Sequence, residues 1–343
     1  MSYPKYLSEK NLEKRYRESG IPEDKIIFIK DLCHAAVNLY GTIHAEELWS
    51  VYRELSEKSA TPFFHKKDLY TILGILRRED LPYYVFEADE VYSEEPRVDK
   101  YRVLALKSLI GNGYGKLYFL NSLIDNSFDK PYYVPQDLLS YKEPCENKGE
   151  QELIDWLSAL KSTETEFETR YTEKKYPCRY TGKRLGEFSF ISRDDEFELK
   201  YERGEVEGHK GNLKKADELE KELHSMTAAQ RLIHNYTWRS HIGRVTPSES
   251  IQYLMDDLSE MGVLLTEKQL EYLVKHLTEF HNHLHLWCNR GWTPEELSKR
   301  VFQQGNAIRS IQFGPGMQRA FADGTLDKEE LVRQMKEMGI DVL

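Results

Sequence analysis

The residues best equipped for chemistry crowd between His281 and Pro294, where His-Asn-His-Leu-His-Leu-Trp-Cys-Asn-Arg-Gly-Trp-Thr-Pro sets histidines, a thiol and two tryptophans side by side. Read as one helix, the spacing puts His281, His285 and Cys288 at i, i+4 and i+7, on a single face. Three such donors could meet a zinc ion, with His276 or a carboxylate as the fourth ligand, and a metal-assisted hydrolase is the reaction class that centre would serve. A tetrahedral ion usually draws its ligands from separate elements, and Trp287 and Trp292 are large aromatics that dock a helix end on its neighbours. The expectation is therefore a packed helix end and no cofactor, with zinc at His281, His285 and Cys288 as the competing reading.

A second chemistry-bearing stretch is Lys174-Lys-Tyr-Pro-Cys-Arg-Tyr-Thr-Gly-Lys-Arg184, which contains no acid. Lys174, Lys175, Arg179, Lys183 and Arg184 could meet phosphates while Tyr176 and Tyr180 stack on exposed bases. The bland alternative is a solvated hairpin neutralised by Asp194, Asp195, Glu196 and Glu198. A weaker basic set, Lys66, Lys67, Arg77 and Arg78, flanks an expected third helix, diluted by Asp68, Glu79 and Asp80. Gly111-Asn-Gly-Tyr-Gly-Lys116 fails as a phosphate cradle, because the spacing is wrong and Leu117 stands where a Ser or Thr hydroxyl is needed. Cys33 beside His34 has no nucleophile elbow around it, and the abundant carboxylates fall into no acid/base pattern.

Composition bounds these readings. The chain has 343 residues, 40% hydrophobic and 31% charged, which fits folded domains rather than disorder. The formal charge of -10 repels phosphate over most of the surface, so nucleic acid would have to bind a local basic patch. No apolar run reaches the roughly 20 residues of a membrane span. Nor does Met1-Ser-Tyr-Pro-Lys-Tyr6 open like a secretory signal, so the expected location is the cytoplasm, with no membrane partner. Cys33, Cys145, Cys178 and Cys288 form no C-x-x-C pair and are expected as reduced thiols.

The elements that must carry these residues read as mainly α with a small β component, a winged-helix-like N-terminal lobe plus a C-terminal helical lobe. Residues 1–24 are a polar leader whose function is unreadable. Residues 25–145 form the winged-helix-like domain: apolar stripes predict helices from Lys25 to Tyr40, over 44–55 and over 65–78, and Pro82 to Tyr92 then turns to aromatic and β-branched residues as a strand or hairpin. The region after 101 reads as an apolar helical start followed by a glycine-rich turn. Residues 146–224 form a charged connecting region with the basic and aromatic hairpin, closing on a Lys/Glu-rich helix near 212–224. Residues 225–343 form a helical domain, with helices at 227–242, 247–261 and 266–288, another opened by Thr293 and a last one from Asp327 to Gly339.

Asn38-Leu-Tyr-Gly41, Lys130-Pro-Tyr-Tyr-Val-Pro135 with Asp137-Leu-Leu-Ser-Tyr141, and His281-Asn282 with Trp287, Asn289-Arg-Gly291 and Thr293-Pro294 together resemble a group of uncharacterised bacterial cytosolic proteins of the SEC-C-associated type. The resemblance implies a winged-helix-like front and a helical rear. In that group a C-terminal SEC-C zinc module often follows, and this sequence ends at Leu343 without it, so the module's zinc is not carried over. The resemblance picks out Asn282 rather than His283 or His285, and it supplies no reaction. The function expected from the sequence is a non-enzymatic binding or regulatory role through a protein partner, with nucleic-acid binding and then a metal-dependent hydrolase as the alternatives. Oligomeric state is unread.

Overall fold

The computed structural model describes residues 3–92, 96–110, 117–143, 147–163, 166–169, 172–191, 193–208, 210–303, 310–311, 333 and 341–342. The protein is mainly helical with a small antiparallel sheet, and it divides into two compact units, Met1–Thr293 and Pro294–Leu343.

The first unit opens with α1 (Glu9–Glu18), a polar helix with no buried residue. α2 (Glu23–Tyr40) begins behind Pro22 with two acids in its first turn, where they meet the positive end of the helix dipole. Gly41 ends it at φ 73°, and a Cβ there would lie 2.7 Å from Leu123 and 2.8 Å from Trp287, so only glycine fits. β1 (Thr42–His44), α3 (Ala45–Lys58), α4 (Lys66–Leu76), β2 (Tyr83–Phe86), the short α5 (Ala88–Val91) and β3 (Val103–Leu106) follow. The strands form one antiparallel sheet in the order β1-β3-β2, with Leu104 opposite both Ile43 and Val85.

The run Val103-Leu-Ala-Leu106, expected to begin a helix, is strand β3. The reason is double burial. Leu104 packs with Val85 and the helices of the front core, whereas Val103 and Ala105 point the other way into the rear core. A strand covered on both faces reads as an unbroken apolar run, which period alone does not separate from a buried helix.

The rear core is built by α6 (Tyr118–Ser127), α7 (Glu150–Ala159), α10 (Ala228–Ile242), α11 (Pro247–Glu260) and α12 (Glu267–His283); between α7 and α10 come the hairpin of β4 (Glu166–Thr169) and β5 (Thr172–Pro177) and the helices α8 (Arg193–Glu202) and α9 (Leu213–Ser225), which pack on each other. Three of these helices open on capping boxes, Thr227 with Gln230, Thr246 with Glu249 and Thr266 with Gln269, each pairing two backbone N–H groups that the helix leaves without partners. Leu232, Tyr236, Leu254, Leu258, Leu273, Leu277 and Phe280 interlock beneath them.

The second unit contains α13 (Pro294–Gln303) and a parallel pairing of β6 (Ser310–Ile311) with β7 (Asp341–Val342). The helix expected from Asp327 to Gly339 lies outside the described residues, except for Arg333. Among the described residues no helix is long and apolar enough to cross a membrane.

Candidate functional site

The histidine-rich stretch is not one helix. α12 ends at His283, Leu284 turns extended at ψ 130°, and a 3-10 turn forms only at Trp287–Asn289. Leu284 and Leu286 are buried while His283 and His285 are half-buried, the alternation of an extended segment. The i, i+4, i+7 face therefore does not form, and His281, His285 and Cys288 are sent to different neighbours. His281 stays on α12 with its ring edge-on to Tyr236, and its buried Nδ1 has no hydrogen-bond partner. His285 donates from Nδ1 to the Gly291 carbonyl at 2.7 Å, which leaves Nε2 to accept from the Tyr141 hydroxyl at 3.2 Å. Cys288 directs its thiol at the Ser240 carbonyl, 3.5 Å away. Among the described residues no three His, Cys, Asp or Glu side chains gather as a metal ion would require.

The segment 284–293 instead forms a joint between distant parts of the chain. The Trp287 indole N–H donates to the Asn38 carbonyl at 2.9 Å, its ring stacks on His241 at 4.3 Å, and it lies over Gly41. The Asn38 side chain in turn donates to the carbonyls of Tyr141 and Lys142. Lys130 donates to the Cys288 carbonyl at 2.6 Å and to Asn289, while Tyr40 donates to the Tyr133 carbonyl. Tyr133 stacks on His285 and lies against Trp292. Arg290 sits in the left-handed region at φ 51° and reaches Glu47 at 3.1 Å across the face of Tyr132, which also bonds Glu47. Gly291, at φ 84°, lets the turn close on Tyr40. The three stretches singled out in the sequence, near residues 38, 130–141 and 287–293, thus meet at one place.

Electrostatics here favour neutral groups. Burial, reinforced by His234, His285 and His281, pushes the His241 pKa down to about 3. Burial also lowers His281 and raises the Cys288 thiol against the opposing pull of Lys130. A neutral imidazole and a protonated thiol, each held by backbone carbonyls or aromatic rings, hold a structure together rather than activate a nucleophile.

The basic residues also separate. Arg77 is 13% exposed, binds Glu90 bidentately at 2.6 and 2.7 Å, and donates to the Val85 carbonyl. Lys66 pairs with Glu46, and the backbone carbonyl of Arg78 accepts from Leu7. Lys67 is exposed. Tyr180 is in the rear core, stacked on Phe188 at 4.3 Å, and cannot offer a face to a base. Arg179, Lys183 and Arg184 are exposed on the turn after β5, with Arg179 reaching the Ile191 carbonyl. Lys174, Lys175 and Tyr176 lie on β5, whose side chains fall outside what is described, as do Gly111–Lys116 and Cys145.

α4, the helix that a groove-reading domain would expose, is covered. Arg102 lies over its Gly74, donating to the Tyr70 carbonyl and bonding Glu87 and Asp99, while the chain before α1 docks at its end through Leu7 and Tyr3. Sequence reasoning missed this ion network because its partners, Arg77, Glu87, Glu90, Asp99 and Arg102, are spread through segments read separately. No protein-family model, curated protein or solved structure matches this chain.

Proposed function

We propose that the protein is a non-enzymatic cytosolic regulator that acts by docking onto another protein, and that residues 23–106 are a winged-helix-type binding module locked to a helical rear lobe. The order helix, strand, helix, helix, strand, strand, with the short α5 inserted between the last two strands, and the sheet order β1-β3-β2 support the module. The convergence of the three family-like stretches on one joint supports kinship with the SEC-C-associated bacterial proteins. One observation carries protein over nucleic acid: two of the cations at α4 are paired within the fold, Lys66 with Glu46 and Arg77, just past its end, with Glu90, which leaves Lys67 exposed on a chain of formal charge -10.

A second reading, a single-strand or loop binder on the exposed Arg179, Lys183 and Arg184, keeps three cations but loses the stacking ring of Tyr180. Cross-linking mass spectrometry in the source cell tests the first reading. Links from the front lobe to one other protein, recovered in a stoichiometric complex, are expected. A purified protein that carries nucleic acid and links to no other chain would overturn it.

A further inference from the structure

The first buried residue among those described is Ile26; every described residue before it is exposed or half-buried. Even so, residues 3–7 are held by a site fitted to them. The Tyr3 hydroxyl accepts the Val85 backbone N–H of β2, an N–H on the outer edge of the sheet, at 3.1 Å. Its ring lies 4.6 Å from Tyr84 and 5.6 Å from Phe86, and the Arg77 guanidinium stands 5.0 Å over its face. Lys107, fixed by Asp80 at 2.6 Å, places its ammonium 5.3 Å from the Tyr6 ring and 5.5 Å from that of Tyr84. The Leu7 backbone N–H donates to the Arg78 carbonyl at 2.8 Å. Glu87 and Glu90 keep Arg77 in position from behind.

Two cations facing two tyrosines, an edge-strand donor and a backbone acceptor make a recognition surface for an extended segment. The arm that fills it buries no side chain completely, and beyond residues 3–7 it is held by Leu12, Tyr16 and Ile21, which pack half-buried on the front core. α1 adds Tyr16 bonded to Glu79, and the arm joins α2 through Ser19-Gly-Ile-Pro22, where Gly20 turns at φ 67° with no other atom within 4 Å of a Cβ position.

We propose that the surface made by the end of α4, β2 and Lys107 is the docking site for an extended partner peptide carrying two tyrosines three residues apart, and that residues 3–7 occupy it in cis. This rests on the protein-docking reading above and names its surface. A partner binds by displacing the arm, which competes as a tethered ligand at an effective concentration on the order of millimolar.

The test uses the full chain with Tyr3→Ala and Tyr6→Ala together, and a fluorescent peptide spanning residues 2–8 of the natural sequence as the probe. The double variant should keep its helical circular dichroism and bind the peptide at least about tenfold more tightly than the intact chain does. Peptide in which both tyrosines are alanine should not bind. Adding Lys107→Ala to the opened chain should weaken binding by about threefold to tenfold, as expected for one cation–π partner. A folded double variant that ignores the peptide, an intact chain that binds it equally well, or a double variant that no longer folds would each overturn the proposal. Nucleic-acid binding would undo the parent reading without touching this result, so the two failures are distinguishable.

Discussion

At the scale of single residues, the joint depends on positions that tolerate one side chain. A Cβ on Gly291 would lie 2.9 Å from the Tyr40 ring and 3.0 Å from Leu39, at a φ of 84° that L side chains rarely adopt. Gly291→Ala should therefore cost about 2 to 4 kcal/mol from strain and overpacking together, read as a lowered midpoint in chemical denaturation. His241 should contribute most to the acid limit, beside His44, His234 and His281, which burial also lowers. The folded pKa of His241, about 3, lies below the ordinary 6.5, so as pH falls through 6.5 the unfolded chain takes a proton that the fold refuses. Stability should be fully present above 6.5 and be lost towards 3, with a slope of about 1.4 kcal/mol per pH unit for that proton. His241→Phe, which keeps a ring on Trp287, should flatten this limb; an unchanged acid limb would show that His241 is not the group responsible. The residue types of the joint were legible in the sequence, and their partners were not. His285 needs Tyr141 and Gly291, and nothing in local spacing says that a residue 144 positions away will supply the hydroxyl.

At the scale of elements, local chemistry read well where the signal was local. Thr246-Pro-Ser-Glu249 and Thr266-Glu-Lys-Gln269 marked helix starts that the structure has, since a capping box satisfies its donors within four residues. Thr246→Ala removes a hydroxyl that accepts the Glu249 N–H at 3.2 Å, and should cost about 1 kcal/mol in thermal or denaturant unfolding. An unchanged stability would mean that Glu249 alone holds that end. Two element readings failed, each for its own reason. His283-Leu-His-Leu286 alternates with period two, the mark of an extended segment, but the strong periodicity of α12 before it carried the helix too far. Val103 to Leu106 hid a strand because both its faces are buried.

At the scale of the molecule, the front and rear cores share one sheet and one joint, so the first unit should unfold in a single transition. Trp287→Ala removes the indole bonded to Asn38 and stacked on His241, and it should split that transition in calorimetry; a single transition at a lower temperature would mean that the sheet alone couples the cores. The mainly helical class with its small sheet was legible from apolar periodicity. The pairing of Arg77 was not, because the sequence shows that Arg77 is a cation and only the fold shows Glu90 across from it. That pairing is the ground for the proposal that the protein acts through protein contacts. The measurement that tests it most directly is a fluorescence-anisotropy titration of the full chain against labelled single- and double-stranded DNA and RNA, at low and at near-physiological salt. The expected result is no saturable binding at either salt. Tight binding with a steep salt dependence, abolished when Arg179, Lys183 and Arg184 are neutralised, would contradict it and make the protein a nucleic-acid binder.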